Sequence, residues 1–118
     1  MSPITSPTKL DPDLRARVFT ASPFVASVFR REQVWADAAW ADGEFARPLV
    51  LVAERLAAAI AGVGEEAALM RALRQFRNRE MARIAVRDIA GFAPLDETLG
   101  DLSDLAAAAI DAAMAFVA

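Results

Sequence analysis

The sequence predicts an all-α protein, a bundle of about five or six helices with a long central helix at about 65–90 and a second long helix at about 95–117. Apolar residues recur at helical spacing from Leu14 to Val117, and no stretch shows the sustained alternation of a half-buried strand. Asp11-Pro12 and Ser22-Pro23 each place a capping side chain before a proline whose missing N–H costs nothing at the first helical position. Glycines and prolines then punctuate the chain at Gly43, Pro48, Gly62, Gly64, Gly91 and Pro94.

Taken in order, residues 1–10 hold Pro3 and Pro7 among Ser and Thr and read as a flexible tail before a single helical domain at 11–118. The first helix carries Leu14, Val18 and Phe19 to about Thr20. The second carries Phe24, Val25, Val28 and Phe29, and Arg30 and Arg31 suit its last turn, where positive charge meets the negative end of the dipole. A third runs from about Glu32 to Ala41 with Trp35 and Ala39 on one side, and Asp42-Gly43 ends it. From Arg47-Pro48 a fourth places Leu49, Val52, Leu56 and Ile60 at helical spacing up to Gly62. Glu65 and Glu66 give the central helix the negative start its dipole favours, and Gly91 stops it. In the last helix Leu99, Leu102, Leu105, Ala109, Ile110, Ala113 and Val117 keep the period, with Gly100 or Ser103 as places where it bends or restarts.

A chain of 118 residues with 56% apolar content is large enough to bury a modest core without disulfides or metals. Many of those residues are alanines, so Phe19, Phe24, Phe29, Trp35, Trp40, Phe45, Phe76 and Phe92 must supply much of the burial. With no cysteine and no histidine, Cys/His zinc sites, thiol catalysis and histidine-based triads are excluded. The net charge of −3 argues against a nucleic-acid partner. The absence of a secretory signal or a ~20-residue apolar run argues against a membrane and for the cytoplasm.

The most particular text is Ala72–Gly91, where arginines at 74, 77, 79, 83 and 87 alternate with Leu73, Phe76, Ile84 and Ile89. Those apolar residues drift round the helix, so it should be contacted on more than one side. Arg79, Arg83 and Arg87 recur every fourth residue on one face, and something acidic should lie opposite them. Glu80 lies three residues from both Arg77 and Arg83, and Asp88 can cap or pair near the end of the helix. Arg77, Arg79, Glu80, Arg83, Arg87 and Asp88 therefore read as a structural or interdomain charge network. An acidic or phosphate-bearing partner is the competing use of the same face. Catalysis by Glu80 and Asp88 is disfavoured, because carboxylates among arginines stay ionised and make poor general acids. Asp96, Glu97, Asp101 and Asp104 read as dipole partners or a solvated face rather than a cation site, and Gly62-Val63-Gly64 lacks the lysine of a phosphate loop.

The segment F-R-N-R-E-M-A-R-I-A-V-R-D-I-A-G-F-A-P-L-D-E-T-L-G-D-L-S-D-L-A, Phe76–Ala106, resembles the N-terminal part of the bacterial glutamine synthetase adenylyltransferase/deadenylylase family. Ser22-Pro23-Phe24-Val25-Ala26 is similar to a short element near the start of the same proteins. The resemblance implies a role in regulating nitrogen assimilation, by transfer of AMP from ATP to a tyrosine of glutamine synthetase and its phosphorolytic removal. It also implies magnesium, and response to PII signal proteins and glutamine. The family's active sites lie in nucleotidyltransferase domains with G-S-x-x-x-D-x-D loops. This chain contains no G-S pair and no D-x-D triplet after a strand, so no catalytic, cofactor-binding or metal residue carries over. The expectation is a non-catalytic helical module, inactive alone and without a cofactor of its own, whose full-length family uses ATP and magnesium. Its expected partners are glutamine synthetase, the PII protein and a missing nucleotidyltransferase domain, with self-association through uncovered apolar surface. The alternative is a free-standing helical interaction domain that uses the Arg79/Arg83/Arg87 face.

Overall fold

A computed structural model of the chain describes residues 10–117. The tail expected at 1–10 lies, apart from Leu10, outside the described residues. Six α-helices and one 3-10 turn follow in order: α1 (Pro12–Ala21), α2 (Pro23–Arg31), α3 (Gln33–Ala41), the turn Glu44–Ala46, α4 (Val52–Ile60), α5 (Glu66–Ile89) and α6 (Leu95–Val117). There is no strand among the described residues.

The local signals at the start of the chain act as their chemistry requires. Asp11 Oδ1 accepts the Leu14 N–H at 2.7 Å, and Ser22 Oγ accepts the Val25 N–H at 3.1 Å. At the far end of α5, Gly91 takes φ +80°; its N–H donates to the Asp88 carbonyl at 3.2 Å, and the Phe92 N–H donates to the Arg87 carbonyl at 2.8 Å. This is a Schellman closure, and its left-handed residue is one that glycine adopts without a Cβ penalty.

The fourth helix begins later than its apolar spacing predicts. Arg47, which precedes Pro48, is held extended at φ −86°, ψ 146°, as the proline ring demands. Leu51 takes a left-handed φ of 54°, and the helix starts at Val52. The Arg55 side chain fixes this entry by donating through Nε to the Val50 carbonyl at 2.8 Å. The last helix, by contrast, runs unbroken through Gly100 and Ser103.

Helix α5 is the common wall: α1, α2, α4, α6 and the 3-10 turn all pack on it. On one side lies an aromatic core in which Phe29 and Phe45 stack at 5.2 Å between ring centres, with Trp40, Phe19 and Trp35 edge-on or tilted around them. Val18, Val25, Ala36, Ala39 and Val86 complete it. Phe24, expected among the anchors, is instead exposed, because Pro23 opens α2 with Val25, Val28 and Phe29 turned inward. Beyond the aromatic core, α4, α5 and α6 form an alanine-rich three-helix unit, and the molecule is elongated, 58 × 28 × 22 Å.

Candidate functional site: the arginine helix and its carboxylates

Each of the fourfold-spaced arginines of α5 meets acid from a different element. Arg79 donates through Nε to Glu32 Oε1 at 2.7 Å, at the α2–α3 junction, while its guanidinium lies 4.9 Å from the Trp35 ring centre. Arg83 reaches Glu80 Oε1 at 3.5 Å and Glu44 Oε1 of the 3-10 turn at 3.7 Å. Arg87 donates to Glu97 Oε2 of α6 at 2.6 Å and to the Phe92 carbonyl at 3.4 Å, and its Nη1 stands 3.8 Å from Asp101 Oδ2.

Glu80 is 3% exposed and sits at the centre. Both of its oxygens are taken by the fork of Arg55 from α4, Oε1 at 2.9 Å and Oε2 by the second guanidinium nitrogen. A bidentate fork of this kind fixes orientation as well as charge. It is also why Arg55 holds its proton more tightly than usual, chiefly through the hydrogen bonds to Glu80. Arg83 is shifted the other way, downward, because its burial outweighs the attraction of Glu80 and Glu44. Asp101 is pushed upward by burial and then by Glu97, against the pull of Arg87. Asp101 Oδ2 and the Nε atoms of Arg83 and Arg87 are buried without a hydrogen-bond partner, so the set is closely packed but not fully satisfied.

Two of the residues grouped by sequence stand apart. Arg77 is exposed and pairs with no acid among the described residues, so Glu80 turns to Arg83 and to Arg55 rather than to Arg77. Asp88 is exposed and accepts the Thr98 hydroxyl at 3.3 Å, tying the end of α5 to α6. Sequence reasoning missed Arg55 altogether, and it read Glu97 and Asp101 as dipole partners or a solvated face, whereas both meet Arg87. Their four-residue spacing, which puts the two carboxylates on one side of α6, was the available signal.

Glu80, Asp101 and Asp104 line a cavity of about 40 Å3 with Leu49, Leu51 and Val52. They do not suit magnesium, since Glu80 is bound by two guanidiniums and Asp101 faces a third. Among the described residues no group of three or more such side chains is placed to hold a metal ion. No described helix is long and apolar enough to cross a membrane.

Fold and ion pairs together define an all-α bundle in which Glu32, Glu44, Glu97 and Asp101 meet arginines of the central helix and Arg55 of α4 meets its Glu80. A sequence model of the glutamate–ammonia ligase adenylyltransferase family matches residues 13–118, and the chain belongs to that family. It is 47% identical over 108 residues to the bifunctional glutamine synthetase adenylyltransferase/adenylyl-removing enzyme of Thioalkalivibrio sulfidiphilus, covering 90% of this chain and 11% of that protein. The enzyme of the same name from Pseudomonas putida is 46% identical over 100 residues, 82% of this chain and 10% of the relative. That of Shewanella loihica is 38% identical over 101 residues, 81% and 10% respectively. The chain thus spans roughly a tenth of the length of the curated relatives it matches. No solved structure matches it significantly.

Proposed function

We propose that residues 11–118 form one folded unit, the N-terminal, non-catalytic helical module of a cytoplasmic glutamine synthetase adenylyltransferase/deadenylylase. In this reading ATP, magnesium, AMP transfer and AMP removal belong to the nucleotidyltransferase domains of the whole enzyme. The module packs against such a domain, within an enzyme that meets glutamine synthetase and a PII signal protein and so regulates nitrogen assimilation. The observation that carries the reading is the family match across residues 13–118, confined to about a tenth of each relative. The inward use of Arg79, Arg83 and Arg87 supports a packing role for the charge network.

Incubating the purified chain with glutamine synthetase, labelled ATP and magnesium is expected to leave glutamine synthetase unlabelled, and adenylylated glutamine synthetase with phosphate is expected to keep its AMP. Turnover in either direction would refute the non-catalytic assignment. Reading the coding frame past residue 118 is expected to show a G-S-x-x-x-D-x-D segment downstream.

A second reading, a helical interaction domain, is favoured by a different set of arginines from the one expected. With Arg79, Arg83 and Arg87 engaged by carboxylates, positive charge is open at Arg31, Arg71 and Arg74, which border one shallow depression with Gln75, Asn78 and Glu32, the last held by Arg79. Loss of binding to an acidic partner on Arg71→Glu and Arg74→Glu would support that reading.

A further inference from the structure

We propose that Arg31, Arg71, Arg74 and Arg77 form a docking row for an acidic, amphipathic helix of a partner protein. This deepens the interaction-domain reading and rests on it for which arginines are open; it adds the course of the row and the form of what fits it.

The arginines of α5 fall into two series with opposite fates. Arg79, Arg83 and Arg87 recur every fourth residue and are spent on carboxylates within the fold. Arg71, Arg74 and Arg77 recur every third residue, all three are exposed, and none pairs with an acid among the described residues. At 3.6 residues per turn a step of three falls about 60° short of a full turn, so this series slants across the outer face of α5 while rising about 9 Å.

The two ends of the series border different depressions. Arg71 and Arg74 share one of about 350 Å3 with Arg31, from the end of α2, and with Gln75 and Asn78. Arg74 and Arg77 share another, of about 180 Å3, with Met70, Leu73 and Ala109 of α6. Arg74 stands in both, so the four guanidinium groups make one row from α2 across α5 to α6.

Charge complementarity names the occupant. The chain carries −3 overall, yet four cationic side chains gather here. The acid beside them, Glu32, already accepts from Arg79 at 2.7 Å and from Gln75 at 3.2 Å. Like charges so placed repel, and carboxylates from outside relieve them. Side chains three or four apart on a helix have Cβ atoms about 5–6 Å apart, so carboxylates on a second helix repeat at the interval of the row. Strand addition has no edge to use, because no strand is present among the described residues. Met70, 51% exposed beside Leu73 and Ala109, adds a seat for an apolar side chain next to those carboxylates. A second copy is the weaker source, since α6, its most acidic helix, spends Glu97 and Asp101 on Arg87 and turns Asp104 into the cavity beside Glu80.

A fluorescence-anisotropy titration of the chain into a labelled synthetic helix of about 20 residues tests this. One peptide carries glutamates in a 3-4 repeat with leucines beside them, and an isomer of the same composition has its glutamates spread round the helix. The patterned peptide is expected to bind with a dissociation constant on the order of 1–100 µM, and more weakly as salt rises. Arg71→Glu, Arg74→Glu and Arg77→Glu are each expected to weaken it about tenfold, with helical circular dichroism unchanged. Arg17→Glu, the same change at an exposed arginine that borders neither depression, is expected to leave binding as it was. Equal binding of the isomer, a DNA duplex that binds more tightly than the peptide, or indifference to Arg77→Glu would each overturn the proposal. Indifference to Arg77→Glu alone, with Arg71→Glu and Arg74→Glu still effective, would leave the interaction-domain reading standing, whereas absence of binding by the parent chain would remove both.

Discussion

At the scale of single residues, stability turns on Glu80. Removing its carboxylate leaves Arg55 with only a backbone acceptor and Arg83 with only Glu44 at 3.7 Å. Breaking one side of a buried pair costs more than the pair contributes, since the remaining charge stays desolvated. Glu80→Ala is therefore expected to lower stability by about 2–3 kcal/mol, the figure reduced because Arg55 retains some exposure. Urea midpoints for Glu80→Ala, Arg55→Ala and the double variant should show a coupling above about 1 kcal/mol, and additive losses would show that the fork contributes nothing of its own. Asp101 gives the opposite sign. Its carboxyl is easier to protonate in the fold than at its ordinary value of 3.8. Between that value and the raised one the folded chain holds more protons than the unfolded chain, so its contribution improves as pH falls through this window. Asp101→Asn is accordingly expected to match or exceed the parent in stability at neutral pH, and to lose that advantage on acidification toward 3.8. Thermal midpoints measured across this range check it, and an advantage that grows on acidification would be contrary to it.

At the scale of elements, two left-handed residues predict opposite outcomes. A Cβ at Gly91 meets nothing within 4 Å, so Gly91→Ala pays only for its φ of +80°, about 1 kcal/mol. Leu51 already bears that strain at φ 54° and is largely exposed, so Leu51→Gly is expected to gain a few tenths to about 1 kcal/mol. Thermal midpoints that move in the same direction for both would contradict the strain argument. These two positions also show what can be read from sequence. Gly91 announces its turn through its own chemistry, as Asp11 and Ser22 announce their caps. Leu51 does not, because its conformation goes with a side-chain contact, the Arg55 hydrogen bond to Val50, while the apolar spacing of Leu49, Val52 and Leu56 continues through it as though helical. The arginine face is a similar case. That Arg79, Arg83 and Arg87 needed acid was legible from their spacing; which acids was not, since Glu32, Glu44, Glu97 and Asp101 arrive from separate elements through tertiary packing.

At the scale of the whole molecule, α5 joins two packing centres of unlike chemistry, the aromatic core of α1–α3 and the alanine-rich unit with α4 and α6. The second buries less apolar surface per residue, and on area alone it would open first. The ion pairs oppose such independence: Arg55–Glu80 fastens α4, and Arg87–Glu97 fastens α6, to the same helix whose Arg79 fastens the α2–α3 junction. Opening α4 and α6 would give up the charge-assisted bonds that Glu80, at 3% exposure, and Arg87, at 2%, make to Arg55 and Glu97. One cooperative transition is expected. Both tryptophans, Trp35 and Trp40, lie at the aromatic end, so their fluorescence reports that end alone, whereas circular dichroism weights α5 and α6 most heavily. Urea midpoints by the two probes should coincide for the parent chain. For Glu80→Ala the dichroism midpoint should fall before the fluorescence midpoint, as the alanine-rich end comes loose. Separate midpoints in the parent would mean that the chain is two units sharing a helix, and that its ion pairs do not couple them.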